Sequence, residues 1–190
     1  MLYHRSLCKE DGQMDGESCI KKAYEFIFQS DFEGAIYWFE QAIAADPENA
    51  GYYHKCAVSC ARSGKWSKAK IYADVAEKLE PGNEEYRYHS QLIQSQLLLA
   101  EAKGLVASTP PDLKEAAELL RHAATLDPLS FEAFYLLGMV CLTEGRLDEA
   151  IIHAREALRL DPQHSSARRL FADINRKRRM ERIRSTMRRK

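Results

Sequence analysis

Small and large apolar residues recur along this chain with two periods, one helical and one much longer. The stretch EGAIYWFEQAIAADP at 33–47 returns in altered form as SKAKIYADVAEKLEP at 67–81, KEAAELLRHAATLDP at 114–128 and DEAIIHAREALRLDP at 148–162. Every copy has Ala at its third and tenth places and closes on Pro preceded by Asp or Glu. Large residues such as Phe39, Leu120 and Leu160 stand between the alanines at the spacing of an amphipathic helix. Proline ends each helix, because it lacks the N–H and its ring clashes with the preceding turn. Two residues further on, Asn49, Asn83 and Ser130 are predicted N-caps of the next helix; His164, with Ser165 and Ser166, follows the last proline.

The closing residues Pro47, Pro81, Pro128 and Pro162 are 34, 47 and 34 positions apart. Small residues also recur upstream. The first copy has Ala23, Ala35, Phe39 and Ala42; the second has Ala57, Ala69, Ala73 and Ala76; the last has Gly138, Ala150, Ala154 and Ala157 after a Leu137-Gly138 pair. This 34-residue pattern resembles the tetratricopeptide repeat, over about 150 residues of the chain. The family's Trp and Tyr places hold apolar or aromatic replacements: Cys19, Tyr53 and Phe134, then Phe26, Cys60 and Cys141. The resemblance implies an all-α, right-handed α-α superhelix (a solenoid) of about four helical hairpins with a C-terminal capping helix, since a lone hairpin cannot bury its apolar face. The expected limits are a flexible segment at 1–15 and a repeat domain at 16–162, with repeats at about 16–49, 50–83, 84–130 and 131–164. A capping helix with a basic extension follows at 165–190.

The third repeat is 13 residues too long. Counting forward from Pro81 puts Gln91 at the small place, whereas counting back from Pro128 puts Gly104 there. The extra residues are therefore placed at or before the start of this repeat. No Pro or Gly interrupts 84–103, so a helix of about twice the usual length is predicted, ending near Ser108 before Thr109-Pro110-Pro111. A shift of 13 residues turns the buried face between the two ends of such a helix.

The family resemblance further implies a concave groove lined by the first helix of each hairpin, which takes a peptide or partner protein. Carried over place by place, its residues are Ile20, Tyr24, Ile27 and Phe28, then His54 and Arg62, then Tyr135 and Met139. In the third repeat, forward counting offers Glu85 and Tyr88, and backward counting offers Glu101 and Leu105. The family's clamp for chaperone C-terminal carboxylates needs Lys, Asn and Arg at set places. Ile20, Tyr24, Lys55, Glu85 and His89 stand there instead, so that clamp is absent.

Charge divides the chain. Its 28 basic and 28 acidic residues balance, but 168–190 holds 11 basic and 2 acidic ones, leaving 17 and 26 in 1–167. After Asn175 comes RKRRMERIRSTMRRK, where Met180, Ile183 and Met187 form a thin apolar stripe. Arg176, Lys177, Arg178, Arg179, Arg182 and Arg184 are the candidate tail contacts, with an acidic protein, nucleic acid or an anionic membrane surface all open as partners. A homodimer is open too. No aromatic residue interleaves these arginines, so base stacking has no support there.

Chemistry has little to stand on. There are no phosphate-cradling glycines, no His-Glu-x-x-His helix and no nucleophile elbow. The five cysteines lack framework spacing, and Cys56, Cys60 and His54 lack a second cluster to complete a metal site. We therefore expect no enzyme, no cofactor and no metal, but a protein-binding adaptor or scaffold. No run nears the roughly 20 apolar residues of a membrane span, and 1–18 holds no signal-peptide core, which predicts a cytoplasmic protein.

Overall fold

The computed structural model describes residues 14–187, which form nine α-helices and no strand. The flexible segment expected at 1–15 lies almost wholly outside the described residues. The helices fall into two compact units, Met1–Ile93 and Gln94–Lys190, each of which is built of stacked hairpins. The fold is thus an all-α helical repeat of the solenoid class, as the spacing predicts.

In unit 1, α1 (Gly16–Phe28) pairs with α2 (Phe32–Ala45), and α3 (Ala50–Arg62) with α4 (Trp66–Leu79). The first residues of α5 (Glu84–Ala107) complete the unit. The recurring small residues are the reason the helices can approach. Ala23, Ala35, Ala42, Ala57, Ala69 and Ala76 are all at most 1% exposed, and Phe39 is buried as fully in the same unit. Asp15 and Asp31 cap α1 and α2 by accepting from the N–H of Ser18 and Gly34. Asn83 accepts from Glu85 and Tyr86 at the start of α5. Asn49, expected to do the same for α3, makes no side-chain cap bond. Each hairpin turn here has three residues, and the middle one is left-handed: Ser30 (φ 60°) after α1 and Gly64 (φ 74°) after α3.

In unit 2, the second half of α5 packs with α6 (Leu113–Leu126) and α7 (Phe131–Thr143) through Leu98, Leu99, Ala102, Leu120 and Leu137. A second cluster joins α7, α8 (Leu147–Leu160) and α9 (Ser165–Met187) through Cys141, Ala150, Ala154, Leu170 and Ile174. The start of α9 is therefore a capping helix, as expected. His164 serves as its N-cap, its Nδ1 accepting from the Ala167 N–H at 3.3 Å.

The third repeat corrects the reading of its register. Gly104 is exposed, and a Cβ there would meet nothing within 4 Å. The buried small residue is Ala102, at 0% exposure. The reason lies in the turn. Between α5 and α6 it spans 108–112, two residues more than the three-residue turn between α7 and α8. α5 itself has 24 residues against 13 in α1, α3 and α7. Eleven of the extra residues lengthen the helix and two lengthen the turn, so counting back from Pro128 stops two residues short. Ser90 and Ile93 are the buried positions of α5 in unit 1, while Ser95, Leu98, Leu99 and Ala102 are those in unit 2.

The cysteines that the structure describes behave as small core residues. Cys19, Cys56, Cys60 and Cys141 are free and at most 2% exposed. Burial is the main cause raising the Cys141 thiol, whereas Cys56 is raised first by donating to Cys60 and then by burial, and accepting that bond lowers Cys60.

Candidate functional site

An open cavity of about 420 Å3 lies in unit 1, lined by α1, α2, α3 and the start of α5. Tyr24 and Ile27 come from α1, three apart and so on one face of the helix. His54, Lys55, Val58, Ser59 and Arg62 come from successive turns of α3, and Glu85, Tyr86 and His89 from α5. Phe39 of α2 forms the floor, its ring meeting Tyr24 edge-to-face at 6.1 Å.

The wall is an aromatic stack. The His54 ring lies 4.6 Å from Tyr86 and 4.7 Å from His89, near parallel to both, while its Nε2 is 3.4 Å from a Glu85 carboxylate oxygen. Burial, then the His89 ring and Lys55, lower the His54 pKa, and Glu85 opposes them. Behind the site, Glu40 accepts from Tyr72 and pairs with Lys68, both at 2.6 Å, tying α2 to α4. Burial pushes Glu40 up, but these two partners outweigh it and hold the carboxyl below its usual range.

Histidines kept neutral by burial make stability depend on pH. His54 and, in unit 2, His153 both have lowered pKa values in the folded chain, with burial the main cause. Below the free-histidine value of about 6.5, the unfolded chain takes up protons that the folded chain refuses. The unfolding free energy is therefore highest above that pH and falls as pH drops through the interval beneath it. Urea midpoints between about pH 8 and pH 5 should show this slope, and His54→Gln should reduce it.

Of the residues expected in the groove, Tyr24, Ile27, His54 and Arg62 do line the cavity. Ile20 does not: it is 8% exposed and belongs to the core. Phe28 and Tyr88 are 88% and 51% exposed but lie outside the lining. Tyr135 belongs to unit 2, where it stacks on Phe131 at 5.8 Å and meets His164 at 5.7 Å. Met139, also in unit 2, is partly exposed. Lys55, Ser59, Phe39, Tyr86 and His89 were not expected in the groove. Glu85, a groove place by forward counting, also lines the cavity, and Lys55 and His89 occupy two of the clamp places with other chemistry.

Among the tail residues, Arg178 donates to Asp148 of α8 at 2.6 Å, and Arg176 pairs with Asp173 at 3.5 Å. Lys177, Arg179, Arg182 and Arg184 are exposed and, among the described residues, their side chains make no ion pair. Cys141, Glu149 and His153 bring ligand-type atoms within 4.8 Å of one another. Glu149 is already held by Arg146 at 2.7 Å and Arg121 at 3.5 Å, so positive charge occupies the place a cation would take.

Known proteins share both sequence pattern and fold. Two sequence profiles described as tetratricopeptide repeat match residues 16–49 and 112–165. The DnaJ homolog subfamily C member 7 homolog of Schizosaccharomyces pombe is 35% identical over 63 residues, which is 33% of this chain and 13% of that relative's length. Among solved structures, MamA residues 41 to the end from Desulfovibrio magneticus RS-1 superposes with a TM-score of 0.52 at 17% identity, covering 86% of this chain and 85% of that one. A crystal structure of MamA protein gives 0.50 at 19% identity, covering 84% and 80%. At such identities these structures speak for the fold alone. With the buried small residues at the repeat's own places, the profiles and the fold agree: the chain is a tetratricopeptide-repeat protein.

Proposed function

We propose that this protein is a non-enzymatic adaptor or scaffold whose unit 1 cavity binds an extended peptide with a bulky apolar residue beside an acidic one. The observation behind this reading is the composition of the lining. Tyr24, Ile27, Phe39 and Val58 supply an apolar floor, while Lys55 and Arg62 supply positive charge at its edge. Glu85, beside a His54 that burial keeps neutral, sets one negative charge against these two. Aromatic rings and Arg are the side chains that bind most strongly per residue at interfaces, because they bury much area and lose little freedom.

The likeness to the DnaJ homolog supports protein binding at the level of the repeat, since it spans 13% of that protein. A co-chaperone role through the carboxylate clamp is not part of the proposal. Ile20 and Tyr24 stand at its first two places, and Ile20 is buried.

Selection from a random peptide display library tests the reading. Enriched peptides should carry an acidic residue within a few positions of an aromatic or large aliphatic one. Their affinity should fall by about tenfold or more in Tyr24→Ala and in the Lys55→Glu/Arg62→Glu double variant. Peptides that bind both variants as well as the parent protein would place recognition elsewhere.

A further inference from the structure

The second half of α9 is amphipathic, and its apolar stripe faces away from the protein. At about 100° per residue, the packed positions Ala167, Leu170, Ile174 and Arg178 lie on one side of the helix, and Met180, Ile183 and Met187 lie about 150° round from them. These three side chains are accordingly 50%, 41% and 72% exposed. Two contacts fix the orientation. Arg178 donates to Asp148 of α8, and Glu181 faces the α7–α8 turn, lining a shallow depression with Arg146 and Asp148. Glu181, the sole carboxylate from 176 to 187, is thus turned toward the body and away from the stripe.

The positive charges are placed with respect to that stripe. Arg179 runs along one edge, Lys177 and Arg184 run along the other, and Arg176 stands at its inner end. All four are exposed. We propose that this part of α9 lies on the surface of an anionic phospholipid bilayer, with Met180, Ile183 and Met187 in the headgroup–acyl boundary and the flanking cations on lipid phosphates and carboxylates.

Three features favour that occupant. A straight apolar strip with cations on both edges matches a flat anionic interface, where Lys and Arg stems lie along apolar surface and their heads reach out to charge. A protein groove of matching depth would have to desolvate both rows of cations against acidic walls. Nucleic acid would satisfy the arginines but leave the three apolar side chains in water, and no ring from 176 to 187 is available to stack on a base. No helix of the described residues is long and apolar enough to cross a membrane, so the contact is with the surface only.

Co-sedimentation of the full chain with vesicles tests this, using phosphatidylcholine alone and phosphatidylcholine with about 30% phosphatidylserine. Binding is expected only to the anionic vesicles, and it should weaken strongly between about 0.1 M and 0.5 M salt. Replacing Met180, Ile183 and Met187 together by Ser keeps every charge and should lower vesicle affinity about tenfold or more. Arg176→Gln/Arg179→Gln/Arg184→Gln should abolish it, while far-UV circular dichroism stays close to that of the parent chain. No sedimentation with anionic vesicles would overturn the proposal. So would a triple-Ser variant that binds as the parent does, since it would leave charge alone at work. Tighter binding to a single-stranded oligonucleotide that is unaffected by the triple-Ser change would assign the helix to nucleic acid instead.

Discussion

Gly138→Leu is expected to destabilise unit 2 by about 3 kcal/mol, the upper end of the usual cost of overpacking a filled core. An added Cβ alone would sit 3.1 Å from Leu170 Cδ2, 3.4 Å from the Ala154 nitrogen and 3.6 Å from the Ala150 carbonyl oxygen. Leu170 is a side-chain tip and can move a few tenths of an ångström. The other two neighbours are backbone of α8 and cannot. Three further carbons therefore have to push α7 off α8, and Leu170 carries the start of α9 with it. Helix propensity works the other way, since Gly costs about 1 kcal/mol relative to a good helix former. Gly138→Ala separates the two effects, because it gains the propensity and adds only the one tolerable carbon. Urea unfolding followed by far-UV circular dichroism should find Ala neutral or slightly stabilising and Leu severely destabilising. A Leu variant as stable as the parent would mean that α7 and α8 are not in close contact at this point.

That contact was legible in the sequence because a close approach leaves a chemical mark. Gly138, Ala150, Ala154 and Ala157 have nothing to gain from being small except room for a neighbour, and all four prove to be buried. The same mark misled in the third repeat. Gly104 matched the spacing from Pro128, but that spacing assumed a turn of standard length. A single proline-to-proline distance of 47 cannot say that two of the extra residues lie at 108–112 and eleven lie in α5. Only the observation that Ala102 is buried while Gly104 is open separates the two insertions.

The site was partly legible for a related reason. Whether Tyr24, Ile27, His54 and Arg62 reach the cavity follows from their places on the first helices, and those places recur. Whether Ile20 does depends on what packs beside it, which spacing does not record. Glu85 stands at a groove place of α5 by forward counting, but Tyr86 and His89 do not, and their meeting with His54 follows from packing that spacing does not record. On α9 the stripe itself was visible in the sequence, but its outward direction rests on Arg178 meeting Asp148, thirty residues away. Long-range pairs of that kind have no local signature.

Phe39 joins fold and site in one side chain, and its removal should be felt in both. It is 1% exposed in the core of unit 1 and also forms the cavity floor beneath Tyr24. Phe39→Ala is expected to cost about 3–5 kcal/mol, from lost transfer energy and from the void left beside Ala35 and Ala42 on the same helix face, which are too small to close it. A further share of about 0.5–1.5 kcal/mol belongs to the edge-to-face contact with Tyr24. Both tryptophans of the chain, Trp38 and Trp66, lie in unit 1, so the urea midpoint of tryptophan fluorescence reads the effect directly. Phe39→Leu keeps most of the volume and should cost under about 1.5 kcal/mol, leaving a folded protein in which peptide binding can be measured. Without the ring edge to hold it, Tyr24 gains freedom that binding must remove, and affinity for a selected peptide should fall several-fold. A cost below about 1 kcal/mol for Phe39→Ala would be too small for a filled core position, and would remove Phe39 from both the core and the floor of the site.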